Sequence, residues 1–409
     1  MNRKHKSDLV ILFATLGLMA LGLIVIYAIG PMRANVLNST YGTNYDSNYF
    51  FWGQLRSVAL SLLAFFAAFK WIPYQYLKKL AKPLMIIALV LSGLLWIMSL
   101  IGSSLVKCEL GECRWFDIGG VSFQPAELLK LALVIYLADF LARKREEGVV
   151  GKFQEFWLPF LAVCGLSLLL VVVAQGDLGT GVAIIAIMLG TLLVSGVPMR
   201  QYLLVLAILL IGAVGAVAFS GHRMERVDAW LTTLTGGEST DSTYHVDNAM
   251  LAIGVGGLTG VGIGNSVQAT GYLPESINDS VFAIMGETFG FIGLFLVIAV
   301  FAALLLRTLK VAEHTASDEG RIFIIGVFSW TLAQVVVNIA AMTGLVPVTG
   351  ITLPLLSYGG TSMIFIAFAL GFVLQLSCYT SREVSIKHEN ISSRGRVGGT
   401  YHSSRRRRS

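Results

Sequence analysis

Residues 272–306 read YLPESINDSVFAIMGETFGFIGLFLVIAVFAALLL, and from Ser280 to Leu306 a single charge, Glu287, interrupts the apolar run. A helix needs about 20 apolar residues to cross roughly 30 Å of hydrocarbon, so this stretch can span a bilayer. Two further carboxylates, Glu275 and Asp279, stand at its mouth, where water gives way to lipid. Similar runs recur at 9–30, 54–72, 84–102, 126–142, 156–175, 178–196, 201–219, 280–306, 321–343 and 359–379. Such uninterrupted segments are helical, because the strands of a membrane barrel show only weak alternation. The predicted fold is therefore all-α, a polytopic membrane protein of about ten helices. Over the 409 residues only 13% are charged, about half the share found in soluble domains, which excludes a soluble surface.

Lys and Arg accumulate in cytoplasmic loops, and this sets the orientation. With the N-terminus inside, 23 of the 30 basic residues fall on the cytoplasmic side, which gives an N-in, C-in topology in the cytoplasmic membrane. The net charge of +6 follows from that bias, and no nucleic-acid motif accompanies it. The first apolar segment lacks a convincing small-residue cleavage site at AIGPM and is read as a retained helix. Cys164 and Cys378 lie in apolar segments as small core residues, while Cys108 and Cys113, on the outer side, could form a local disulfide.

No linker divides the chain. Residues 1–8 form a cytoplasmic start, 9–380 one membrane domain, and 381–409 a disordered basic cytoplasmic tail that attracts anionic membrane lipid. On the outer side, 31–53 reads as a surface loop, and 103–125 holds CRWFDIGGVSFQPAE. The long loop 220–279, between helices 7 and 8, is too polar and glycine-rich to span. Its AIGVGGLTGVGIGNSVQ reads as a compact segment whose glycines allow close backbone approach.

Charge at membrane depth suggests a site or a buried pair. Glu127 and Lys130 share a helix face at i and i+3, either as a self-neutralising pair or as contacts for a lipid pyrophosphate. Asp177, in QGDLGTG, reads as a helix cap. Trp115 is an interfacial anchor, whereas Arg114, Arg223 and Arg226 lie on the outer side against the topology bias and suit an anion. Asp279 sits where a carboxylate is partly desolvated yet reachable from outside, which favours it over Glu275 as a general base. Glu287 lies deeper and reads as a brace for the fold, against a basic residue of another helix. Residues 338–363, with Ser357 among them, read as an ordered non-helical cavity wall.

Taken in order, RW at 114–115, FQPAELLKLA at 123–132, QGDLGTG at 175–181, the stretch 262–293 and GLVPVTGITLPLLSYGGTS at 344–362 resemble the SEDS family of FtsW, RodA and SpoVE. The resemblance runs from Asp8 to about Cys378, and GNSVQ before YLPE is closer to the FtsW branch. It implies a peptidoglycan glycosyltransferase that polymerises lipid II outside the cytoplasmic membrane, at the division septum, beside a class B penicillin-binding protein and other divisome proteins. The family's essential aspartate falls on Asp279, its RW arginine on Arg114, its Glu and Lys on Glu127 and Lys130, and its QPDLG aspartate on Asp177. Glu275 and Ser357 are further substrate contacts on this reading, and Asp177, Glu287 and Trp115 are supports. No metal ligand set stands out, although a divalent cation, Mg or Mn, could assist at the pyrophosphate. The chain departs from the family in reading IND where HTD is usual, ETFG for EELG, and QGDLG for QPDLG. A lipid-linked precursor flippase and a non-catalytic scaffold that activates a synthase are the competing readings. Neither an internal repeat nor charges at the midplane favour the flippase.

Overall fold

In a computed structural model, residues 6–379 are described apart from 110, 111, 120, 219 and 236–242. The expected disordered tail at 381–409 lies outside the described residues. Helix α1 runs Leu9–Tyr41, α2 Tyr49–Phe66 with a π-helical extension Ala67–Trp71, and α3 Tyr74–Leu100. Three short strands follow, β1 Val106–Glu109, β2 Glu112–Ile118 and β3 Val121–Phe123. Then come α4 Pro125–Glu146, α5 Leu158–Leu168 between π-helical turns, α6 Leu178–Val194 and α7 Met199–Ala218. The remaining helices are α8 Gly221–Thr235, α9 Tyr244–Val255, α10 Val281–His314, α11 Asp318–Met342 and α12 Gly360–Ser377.

Among the described residues, eight helical segments are long and apolar enough to cross a membrane, and Leu178–Val194 is a shorter apolar helix. Large apolar side chains such as Phe13, Leu63, Ile211 and Phe295 point outward. Polar side chains such as Gln54, Lys130, Gln334 and Asn338 point inward. That inversion of the soluble pattern is what a lipid surround requires. Helix α4 is buried on nearly every side, packed on α3, α11 and α6.

Three sequence expectations change. The fold is predominantly α, but segment 103–125 contains an antiparallel sheet in the order β1-β2-β3, with Cys108 and Cys113 disulfide-bonded across β1 and β2. Strands this short leave no signal in a hydropathy reading. Segment 31–53 is largely helical, because α1 continues through Pro31 to Tyr41 and ends on Gly42, whose φ is 65°. At 1.5 Å per residue, 33 residues make about 50 Å, so α1 outreaches the hydrocarbon and its polar end needs no break. The loop 220–279 holds α8 and α9 rather than irregular chain alone.

Polar contacts sort the helix ends. Asp8 pairs with Arg307 and its backbone N–H donates to Ser377 Oγ at 3.1 Å, Lys78 pairs with Glu319 at 3.3 Å, and Arg145 pairs with Asp318 at 3.5 Å. These contacts gather the two described termini at one end of the bundle. The sheet and the segments 175–177, 221–235, 243–280 and 343–359 gather at the other, called the sheet end.

Helix α10 is broken at Gly290, where φ is 67° and ψ is −169°, a region open essentially to glycine alone. Breaking it strands the N–H groups of Phe291 and Ile292 and the carbonyls of Glu287 and Thr288. The glycine-rich segment takes all four. Phe291 and Ile292 donate to the carbonyls of Gly257 (2.8 Å) and Leu258 (3.1 Å), while Val261 and Gly262 donate to Glu287 (2.9 Å) and Thr288 (3.1 Å). Irregular backbone at membrane depth survives only with such replacement partners.

Candidate active site

The residues preceding α10 form a tight turn. Asn278 and Ser280 backbone N–H groups donate to the Glu275 carbonyl at 2.9 and 3.3 Å, and Glu275 itself adopts a positive φ of 49°. The Glu275 carboxylate pairs with Arg33 of α1 at 3.2 Å and accepts from the Asn278 side chain. Asn338 of α11 donates one amide group to two carbonyls, those of Asp279 and Ile351, both at 2.7 Å. Tyr358 N–H reaches the Ile277 carbonyl at 2.9 Å. The turn is thereby fixed to α1, α11 and the 343–359 segment.

Asp279 is 6% exposed. The N-cap of α10 is Ser280, and Asp279 donates nothing to capping, so its carboxylate remains available for chemistry. Burial pushes its pKa up to about 7, and the like charge of Glu275 adds to this. Its own backbone N–H, the Ser280 hydroxyl at 3.4 Å and the charge of Arg226 pull the other way. A carboxyl poised near neutrality suits proton abstraction.

Arginines face it. Arg226 of α8 reaches the Val348 carbonyl at 3.5 Å, and burial followed by the Arg114 charge lowers its pKa, against the charges of Asp279 and Asp177. Arg223 donates to the carbonyls of Val172 (2.7 Å) and Ala216 (2.9 Å); burial and then Arg114 and Arg226 lower its pKa. Arg114 of β2 pairs with Glu112 and donates to the Gly176 carbonyl at 3.2 Å. Three guanidiniums thus feel one another's charge, and one of them, Arg226, acts on Asp279. Such convergence suits a multiply charged anion.

The other candidates are placed differently. Asp177 caps α6, accepting from Thr180 N–H (2.9 Å), Thr180 Oγ1 (2.8 Å) and Gln124 Nε2 (3.2 Å). Lys130 is fully buried, paired with Glu127 at 2.8 Å and 5.0 Å from the Trp330 ring centre, so the self-neutralising pair describes it better than an open phosphate contact. Ser357 Oγ is buried and accepts from Leu353 N–H at 2.8 Å, turning the cavity wall rather than facing a ligand. Trp115 sits on β2 opposite Lys107. Among the described residues Glu287 has no basic partner; it accepts from Ser266 Oγ and from the N–H groups of Val267 (2.8 Å) and Gln268 (3.3 Å), clamping the glycine-rich segment. Among the described residues, no three His, Cys, Asp or Glu side chains gather to hold a metal.

Sequence reading missed His245. From α9 its Nε2 lies 2.7 Å from Ser280 Oγ, and burial, followed by Arg226, holds its pKa down at about 4. No spacing rule links residues 35 apart, so only the packing of α9 against α10 reveals it.

A family profile described as "Cell cycle protein" (FtsW/RodA/SpoVE) matches residues 8–382. Stage V sporulation protein E of Bacillus subtilis is 33% identical over 379 residues, covering 92% of this chain and 99% of its own. A probable peptidoglycan glycosyltransferase FtsW of Haemophilus ducreyi is 32% identical, covering 82% and 81%. Among solved structures, a peptidoglycan synthase complex that coordinates polymerization and crosslinking matches with a TM-score of 0.68 at 26% identity, covering 91% of this chain and 97% of that one. The rod shape determining protein RodA of Thermus thermophilus matches at 0.62 and 25%, covering 92% and 98%. With the membrane helices and these relatives in agreement, the chain is a multi-pass membrane protein that belongs to the FtsW/RodA/SpoVE family.

Proposed function

We propose that this protein is a peptidoglycan glycosyltransferase that polymerises lipid II on the outer face of the cytoplasmic membrane during septal wall synthesis. The chain crosses the membrane ten times, and the sheet end faces outward, since 23 of 30 basic residues fall on the other side of that topology. The observation that carries the reading is a buried carboxyl, Asp279, poised near pH 7 among arginines. As the GlcNAc 4-hydroxyl oxygen attacks the MurNAc anomeric carbon, its proton passes to Asp279 and the bond to the undecaprenyl diphosphate breaks. Arg114 and Arg226 stabilise the charge that accumulates on that leaving group, where preorganised donors are most effective. Glu127 and Lys130 brace the helices beneath.

The side chains around Asp279 do not suit a protein-held divalent cation. Glu275 is paired with Arg33, Asp177 caps α6, and the nearest other charges are arginines. The match to a synthase complex that couples polymerization and crosslinking supports a class B penicillin-binding protein as partner, with other divisome proteins around it.

Purified full-length protein with its penicillin-binding partner and labelled lipid II tests this. Asp279→Ala should abolish polymer while leaving the complex intact. Translocation of lipid II without polymer, or neither activity in the native protein, would refute it.

A further inference from the structure

Ser280 occupies the N-cap of α10, yet its side chain caps nothing. Its hydroxyl instead lies 2.9 Å from the Pro274 carbonyl, 3.4 Å from Asp279 Oδ1 and 2.7 Å from His245 Nε2. A hydroxyl carries one hydrogen and two lone pairs. The carbonyl and an ionised carboxylate can only accept, so just one of them takes that hydrogen, and a second bond at Oγ requires His245 as its donor. The opposite tautomer would draw the hydrogen onto Nε2 and leave two acceptor oxygens facing hydroxyl lone pairs. The network therefore assigns the proton of a neutral His245 to Nε2.

We propose that His245, acting through Ser280, is a positioning residue for the base Asp279. Its N–H fixes Ser280 Oγ so that the hydroxyl hydrogen turns to the carboxylate when Asp279 is charged and to the Pro274 carbonyl when it is protonated. The proposal rests on Asp279 being the base.

A proton relay to His245 is disfavoured. With Asp279 near 7 and His245 near 4, passing the proton on is uphill by roughly a thousandfold. Among the described residues, the charged groups acting on this pair are Glu275 from the preceding turn and Arg226 from α8. Neighbouring α11 presents the neutral amide of Asn338, and Asp247 of α9 is bonded to Thr233 and Thr243.

The test is the initial rate of lipid II polymerisation by the full-length protein with its penicillin-binding partner, from pH 5.5 to 9. Ser280→Ala and His245→Leu should each shift the acid limb upward, cutting kcat several-fold at pH 6.5 but little at pH 8.5, with KM unchanged. His245→Gln, which keeps an N–H donor, should restore the native limb, and the double variant should match Ser280→Ala alone. Asp279→Asn, run alongside, separates the failures. If it is inactive while both limbs stay in place, the positioning role alone is wrong; if it is fully active, the base assignment falls and this proposal with it. Complex recovery by gel filtration identifies misfolding, and should one single variant misfold, the limb of the other decides.

Discussion

Replacing Asp279 with Asn should stabilise the protein at alkaline pH while abolishing its activity. Burial raises the folded-state pKa from 3.8 to about 7. Between those values the folded state holds a proton that the unfolded chain has released, so stability falls as pH rises through the window. Raising this pKa from 3.8 to about 7, at 1.36 kcal/mol per pH unit, costs the ionised folded state about 4 kcal/mol as an upper bound. Asn has the shape of the protonated acid and does not ionise. At pH 4 the variant and the native protein should therefore melt together, and at pH 8.5 the variant should melt a few degrees higher. Intrinsic fluorescence of the detergent-solubilised protein on heating reads this directly. An offset equal at both pH values, or a variant less stable at pH 8.5, would refute the idea that desolvation of this carboxylate dominates the site. Stability lost at a catalytic group is the usual exchange for reactivity.

Further changes probe the neighbours. Glu275→Gln removes the second cause of the raised Asp279 pKa, so the acid limb of polymerisation should move down by roughly half to one unit; its half-exposed bond to Arg33 makes the stability loss below about 1 kcal/mol. Arg226→Gln should do the reverse, moving the limb up and lowering kcat by about a hundredfold as a donor to the leaving group disappears; steady-state rates across pH check both. Gly290→Ala would place a Cβ 2.4 Å from the Gly260 nitrogen in a backbone region closed to alanine, and should cost about 3 kcal/mol or more, seen as a lower melting temperature and poor recovery.

Much of the architecture was legible because hydrocarbon imposes length and continuity on helices. Ser280–Leu306 announces α10 by itself, and the break at Gly290 is hidden within it since glycine is apolar too. Glu275 and Asp279 were legible as a pair at the boundary, with Asp279 favoured by its place at the apolar edge, and the fold adds that Glu275 turns to Arg33 while Asp279 turns inward. Lys130 could not be assigned from spacing, because i and i+3 with Glu127 fits both a brace and an open cation, and burial against Trp330 decides. The sheet escaped notice, as strands of three to seven residues carry no hydropathy signal. His245 and Ser280 meet through tertiary packing alone.

The position of Asp279 follows from the helix break. An unbroken α10 would satisfy its own backbone and leave the glycine-rich segment unanchored. With the chain opened at Gly290, segment 257–262 docks on the exposed backbone groups, and Glu287 clamps residues 266–268 just beyond it. That docking carries the chain directly into the 271–280 turn, where Asp279 is held between α11 and α8. A carboxylate raised to about 7 needs walls that exclude water without surrendering access, and a lone helix in lipid supplies neither. Glu287 is therefore as necessary to the Asp279 site as any residue touching it, although it contributes no charge to the chemistry.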